Sequence, residues 1–233
     1  MTAMNNESKF LCYLDILGFQ NRIAKDRFRQ CYESLTHDVK GHIYGDYIYL
    51  ISDSIIVISE DFEELVAKSF SIYSSALEKG LLIRGAVTKG QINELSSIQE
   101  KENIIVIPYL GEAYLLAHQL EKNLNCAGIC IDNPTYNELK PEEKELIFSY
   151  KELFSKDNKK EEKLFIISDM KNWSVPQTIL FKISEQIKDI SKHDVSKFLD
   201  TFCLYYKVMK EKHGDKTNLE KYHKWWIDIL NKL

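Results

Sequence analysis

Two apolar runs, Tyr13-Leu14-Asp15-Ile16-Leu17-Gly18-Phe19-Gln20 and Leu50-Ile51-Ser52-Asp53-Ser54-Ile55-Ile56-Val57, are each interrupted by one aspartate. Both runs are apolar and strand-forming, so each sets an aspartate against a hydrophobic sheet. A carboxylate beside such a strand is costly unless a cation or hydrogen-bond donors compensate it. Asp15 and Asp53 are distant in sequence and meet only if the first strand lies beside the second run, which short connections favour. Taken singly, Asp15 also suits a helix cap and Asp53 a hairpin turn. Taken together, they suit Mg²⁺, which binds through one or two carboxylates and completes its shell with water and substrate phosphates. The pair points to metal-dependent chemistry on a nucleotide.

The chain has 233 residues, 44% of them hydrophobic and 12% aromatic, enough for one sizeable domain, or a domain with a helical appendage. A net charge of −4 provides no general basic field, which argues against duplex binding as the main task. Lysines such as those in Lys156-Asp157-Asn158-Lys159-Lys160 are interleaved with acids and read as a solvated loop. The five cysteines (Cys12, Cys31, Cys126, Cys130, Cys203) are scattered and lack a paired zinc spacing. They read as reduced thiols of a cytoplasmic protein. No stretch reaches the roughly 18 apolar residues needed to span a bilayer, so a soluble protein without membrane or nucleic-acid partners is expected.

The pattern predicts a strand over Phe10–Ile16, a turn at Gly18 and a helix from about Gln20 to Leu35. A hairpin of His42–Tyr49 and Ser54–Ser59 bends near Asp53, and a helix from Glu60-Asp61 to about Glu78 ends at Gly80. Strands follow at Leu81–Val87, Ile104–Tyr109 and Ala127–Ile131, with a helix from about Glu112 to Leu124. Beyond residue 133 a helix over Thr135–Phe148, a strand over Leu164–Ile167 and helices over 177–191, 194–212 and 217–232 are expected. Adjacent strand pairs mixed with helix crossovers define an α+β fold with a mixed sheet. The character changes from about residue 133, so a core over residues 1–135 is expected, with 136–233 supplying remaining core elements and a C-terminal helical extension.

Arg84 lies inside an apolar strand and needs an anionic partner, either a triphosphate or an internal acid. Lys89 stands just before Gly90 on the same segment. Gly18 would let backbone amides approach a phosphate. His118 and Gln119 read as helix surface.

The segments Leu14-Asp15-Ile16-Leu17-Gly18-Phe19, Ser52-Asp53-Ser54-Ile55-Ile56-Val57, Ile83-Arg84-Gly85 with Gly90, and Gly111-Glu112-Ala113-Tyr114-x-x-Ala117-x-x-Leu120-Glu121 resemble the catalytic domain of class III nucleotide cyclases. Within that group they look most like the bacterial pyrimidine cyclases of Pycsar anti-phage defence. The resemblance implies a ferredoxin-type mixed sheet flanked by helices. It implies two Mg²⁺ or Mn²⁺ ions per site on Asp15, Asp53 and the Ile16 carbonyl, with amides of Leu17, Gly18, Phe19 and Gln20 along the phosphates. It also implies a homodimer with active sites at the interface, and a separate effector that reads the cyclic product.

Departures from the purine-cyclase pattern narrow the expectation. Tyr49 and Pro108 stand where adenine-reading residues are usual, and a bulky tyrosine there favours a one-ring base, so UTP or CTP is the expected substrate. Leu115 and Gln119 replace the usual asparagine and arginine of the helix. Either Arg84 or Lys89 then supplies the transition-state cation, or the domain is a catalytically inactive nucleotide-binding or dimerisation module.

Overall fold

A computed structural model describes residues 8–41, 47–92, 111–124, 126–154, 160–166, 200–201 and 203–208. In chain order the elements are β1 (Ser8–Ile16), α1 (Phe19–Arg22), α2 (Asp26–Gly41), β2 (Tyr47–Ile51), β3 (Ser54–Ser59), α3 (Phe62–Glu78) and β4 (Ile83–Gln91). They continue as α4 (Gly111–Lys122), β5 (Gly128–Ile131), α5 (Asn133–Glu138), α6 (Pro141–Lys144), β6 (Ile147–Phe154) and β7 (Lys160–Ile166). The strands form one seven-stranded sheet in the order β2-β3-β1-β4-β5-β7-β6.

The first apolar run occupies an interior strand of this sheet. β1 pairs antiparallel with β3 on one side and β4 on the other, and Leu11, Cys12 and Leu14 are fully buried. Residues directly opposite across these ladders share a face. Tyr49, Ile56, Tyr13 and Ala86 therefore line one face, as do Ser54, Asp15 and Arg84. Phe10, Cys12 and Leu14 line the other. There α3 packs, with Phe62 against Phe10 at a ring separation of 5.4 Å. Asp61 caps α3 by accepting the Glu64 amide at 2.9 Å. Phe62, Leu65, Ile72, Tyr73 and Ala76 are buried along it, and each large apolar side chain contributes about 1.5–3 kcal/mol.

β4 and β5 pair in parallel, which requires a crossover, and α4 lies within it. α4 sits on the face carrying Tyr13 and Arg84. The Thr88 hydroxyl donates to the Ala113 carbonyl at 2.8 Å, and Gly90 leaves room for Ala113. The expected α+β architecture, a mixed sheet flanked by helices, is present.

Two expected helices are built differently. The segment after Gly18 is not one helix from Gln20 to Leu35: α1 stops at Arg22 and α2 begins at Asp26, which places an acid in its first turn. The helix expected over Thr135–Phe148 is two short helices followed by β6. Lys140 is extended (φ −67°, ψ 157°), as a residue before proline prefers, and Pro141 starts a new turn. The expected strand over 104–109 lies outside the described residues, as do helices 177–191 and 217–232. Within 194–212, residues 200–201 and 203–208 are helical. They dock on the core through Tyr205, whose hydroxyl lies 2.8 Å from that of Tyr73, and through Thr201, which accepts the Ala127 amide at 2.7 Å. Cys12, Cys126 and Cys130 are buried, and no disulfide joins the cysteines.

Candidate active site

The β1–β3 register decides whether the two aspartates meet. Asp15 stands opposite Ser54, and the Ile16 amide donates to the Asp53 carbonyl at 3.2 Å. Asp15 and Asp53 thus stand at one end of neighbouring strands, one register step apart. Ile51 pairs with Ser54, so Ser52-Asp53 is a two-residue turn. Ser52 takes φ 56°, the left-handed value such turns require at their first position. The Tyr32 hydroxyl of α2 donates to the Ser52 carbonyl and clamps the turn. Burial, with the Asp53 charge added, raises the Tyr32 phenol above its ordinary pKa.

Arg84 is held at the same end of the sheet. Its Nη2 lies 3.4 Å from Asp15 Oδ2, its Nη1 donates to the Leu124 carbonyl at 3.1 Å, and its Nε pairs with Glu121 of α4. Both the Asp15 and Arg84 side chains are 18% exposed, and Glu121 is 2% exposed. Burial pushes the Glu121 carboxyl up to about 7; Arg84 opposes this and the Asp15 charge adds to it. Around the cluster, the Tyr13 hydroxyl lies 2.6 Å from Ser54 Oγ, and burial raises that phenol to about 12. His118 stacks on Tyr114 and meets the Tyr13 ring edge-on at 5.2 Å. Burial, then Lys122 and Arg84, lower its pKa.

The structure gathers Asp15, Ile16, Asp53 and Arg84 and separates Lys89 from them. Lys89 stands opposite Phe10 on the α3 face, its Nζ 3.0 Å from Glu138 and 5.0 Å from the Phe10 ring. Five positions from Arg84, it falls on the other side of the pleat. Leu17 is also altered from expectation: its amide donates to the Leu82 carbonyl at 2.8 Å and is engaged inside the fold. Gly18 (φ 73°) follows at the turn, and the Phe19 ring packs on Phe28 and Tyr32. Tyr49 lies on the Asp15 face, in line with Ile56 and Tyr13. Leu115 (44% exposed) and Gln119 lie on the outer side of α4. Pro108 lies outside the described residues.

Three site features escaped the sequence reading: Glu121, Tyr13 and the inward placement of His118. His118 is not plain helix surface, because the neighbouring strand presents Tyr13 to it. A signal for Glu121 did exist. It continues the four-residue spacing of Ala113 and Ala117, two small residues that mark the helix side pressed on the sheet.

The donor set fits a hard dication. Two carboxylates, Asp15 and Glu121, share the Arg84 guanidinium, and Asp53 stands one register step from Asp15; burial first, and the Asp15 charge after it, raise the Glu121 carboxyl. Among the described residues no cluster of three or more His, Cys, Asp or Glu forms a metal centre by itself. A hard dication such as Mg²⁺ takes oxygen donors of this kind, one or two carboxylates, with water and substrate completing its shell.

The fold is that of the class III nucleotide cyclase catalytic domains. The catalytic core of a rhodopsin-guanylyl cyclase with converted specificity, solved in complex with ATPαS, superposes with a TM-score of 0.50 at 15% identity, covering 72% of this chain and 99% of that one. A Trypanosoma brucei adenylate cyclase, solved in its monomeric state, gives a TM-score of 0.52 at 13% identity, covering 71% and 90%. No family model matches the sequence, and no curated protein does. Among the described residues no helix is long and apolar enough to cross a membrane.

Proposed function

We propose that this chain is a pyrimidine nucleotide cyclase that converts UTP, or CTP as second choice, to the 3′,5′-cyclic monophosphate and diphosphate. The observation that carries this reading is the β1–β3 register, which brings Asp15 and Asp53 to one end of a cyclase-type sheet. A bond forms between the ribose 3′-oxygen and the α-phosphorus, the bond to diphosphate breaks, and the hydroxyl proton leaves. Bound Mg²⁺ or Mn²⁺ supplies Lewis acidity to the attacking and leaving oxygens. Asp15, Asp53 and the Ile16 carbonyl would hold the cation, and Tyr32 keeps the Asp53 turn in place. Gly18 and Phe19 offer the remaining amides for phosphates, and Arg84 is a cation held beside Asp15. In phosphoryl transfer, such positioning and electrostatics supply most of the acceleration.

Tyr49 supports a one-ring base, because its ring stands on the Asp15 face of β2. A homodimer with shared sites, and a signalling role in anti-phage defence through a separate effector, complete the proposal by resemblance. Incubation of the purified protein with each of the four NTPs and Mn²⁺ or Mg²⁺ tests it: cyclic UMP or cyclic CMP is expected, and cyclisation of ATP alone would refute the pyrimidine assignment. The second reading, a non-catalytic nucleotide-binding or dimerisation module, is favoured by Leu115 and Gln119 on the outer side of α4. Retained nucleotide binding with no turnover of any NTP would decide for it.

A further inference from the structure

We propose that Glu121 is a positioning residue for the cation site: it retains the Arg84 guanidinium so that Asp15 can exchange that partner for a divalent cation. The inference rests on the metal reading of Asp15 and Asp53. In the structure Asp15 already has a cation, Arg84, at 3.4 Å. A second cation arriving at Asp15 must compete with it, and a guanidinium released without a partner in this half-buried place would be strongly unfavourable.

The Arg84 head has donors in a fixed fork, so it can serve several acceptors at once. The Leu124 carbonyl accepts from Nη1 and Asp15 accepts from Nη2 over the longer distance, while Glu121 and Nε form an ion pair without hydrogen-bond geometry. Opening the Asp15 contact alone leaves the other two in place. Glu121 can do this because α4 is pressed on β4 through Ala113 and Ala117, which delivers a carboxylate to a depth a surface acid does not reach. Tyr13 and His118 flank the cluster and carry no carboxylate that could take over the task.

Mn²⁺ binding to the full chain without nucleotide, measured by calorimetry or from the electron paramagnetic resonance of free Mn²⁺, tests the inference at pH 8. Glu121→Gln should weaken Mn²⁺ about tenfold, because Arg84 then turns wholly to Asp15. The double variant Arg84→Gln/Glu121→Gln, with the competitor also removed, should return to within about twofold of the parent. Parent-like affinity in Glu121→Gln overturns the proposal. So does a double variant as weak as Glu121→Gln or, if the single variant does not fold, a double variant that binds Mn²⁺ about tenfold more weakly than the parent. Parent affinity that is absent, or unchanged by Asp53→Ala, instead removes the metal reading on which the proposal stands.

Discussion

At the scale of the residue, each aspartate is fixed by a different device. Asp15 is carried on a strand paired on both sides and is balanced by Arg84, whereas Asp53 rides a two-residue turn held by Ile16 and Tyr32. Asp53→Ala should therefore leave the thermal midpoint within a few degrees of the parent while reducing cyclic nucleotide formation at least about a hundredfold. Near-normal turnover would remove Asp53 from the metal site. Tyr49→Lys should weaken the preference for pyrimidine triphosphates, and unchanged selectivity across the four NTPs would count against a base-reading tyrosine. Glu121 gives a pH signature. Its carboxyl, raised to about 7 from 4.5, keeps a proton in the folded chain that the unfolded chain releases. The associated stability is fully present below about 4.5 and lost as the pH rises through about 7. Between about pH 5 and 8 the parent should lose more thermal stability than Glu121→Gln. Parallel curves would mean the carboxyl is not desolvated.

At the scale of the element, strands were easier to read than their faces. The runs at β1 and β3 announce buried strands, and Asp61 announces the start of α3, because both signals are local. The placement of Arg84 beside Asp15, by contrast, depends on the register of two strands, which no local pattern records. The parity of Arg84 and Lys89 was available, since an odd separation on one strand sends side chains to opposite faces. The helix expected over 135–148 gives way to β6 for a physical reason: Pro141 and the extended Lys140 end a helical pattern that charge alone continues. Gly85 supplies an element-scale test. A Cβ there would lie 2.6 Å from both Leu14 Cδ2 and the Tyr13 carbonyl, so the β1–β4 ladder has no space for it. Gly85→Ala should cost about 1–3 kcal/mol of overpacking strain in denaturant unfolding. A neutral result would show that the two strands can separate.

At the scale of the whole molecule, residues far beyond the core sequence motifs complete the interior. β6 and β7 extend the same sheet, and helical residues 200–201 and 203–208 join Ala127, just before β5, through Thr201, and Tyr73 of α3 through Tyr205. Thr201→Val would leave the buried Ala127 amide without its acceptor, a loss of about 1–3 kcal/mol. An unchanged urea midpoint would mean that the amide finds another partner. This part of the fold was poorly legible because its signals are pairings across long sequence distances, Tyr73 with Tyr205 above all. Its helical periodicity shows nothing of where it docks.

The position of β2 at the margin of the described sheet has an evolutionary consequence. A side chain on an outermost strand can be exchanged with little disturbance to the interior, whereas Asp15 is locked between two neighbours. If Tyr49 reads the base as proposed, preference for one nucleobase over another is the property such a domain could change in a single step, without touching the aspartates proposed for the chemistry.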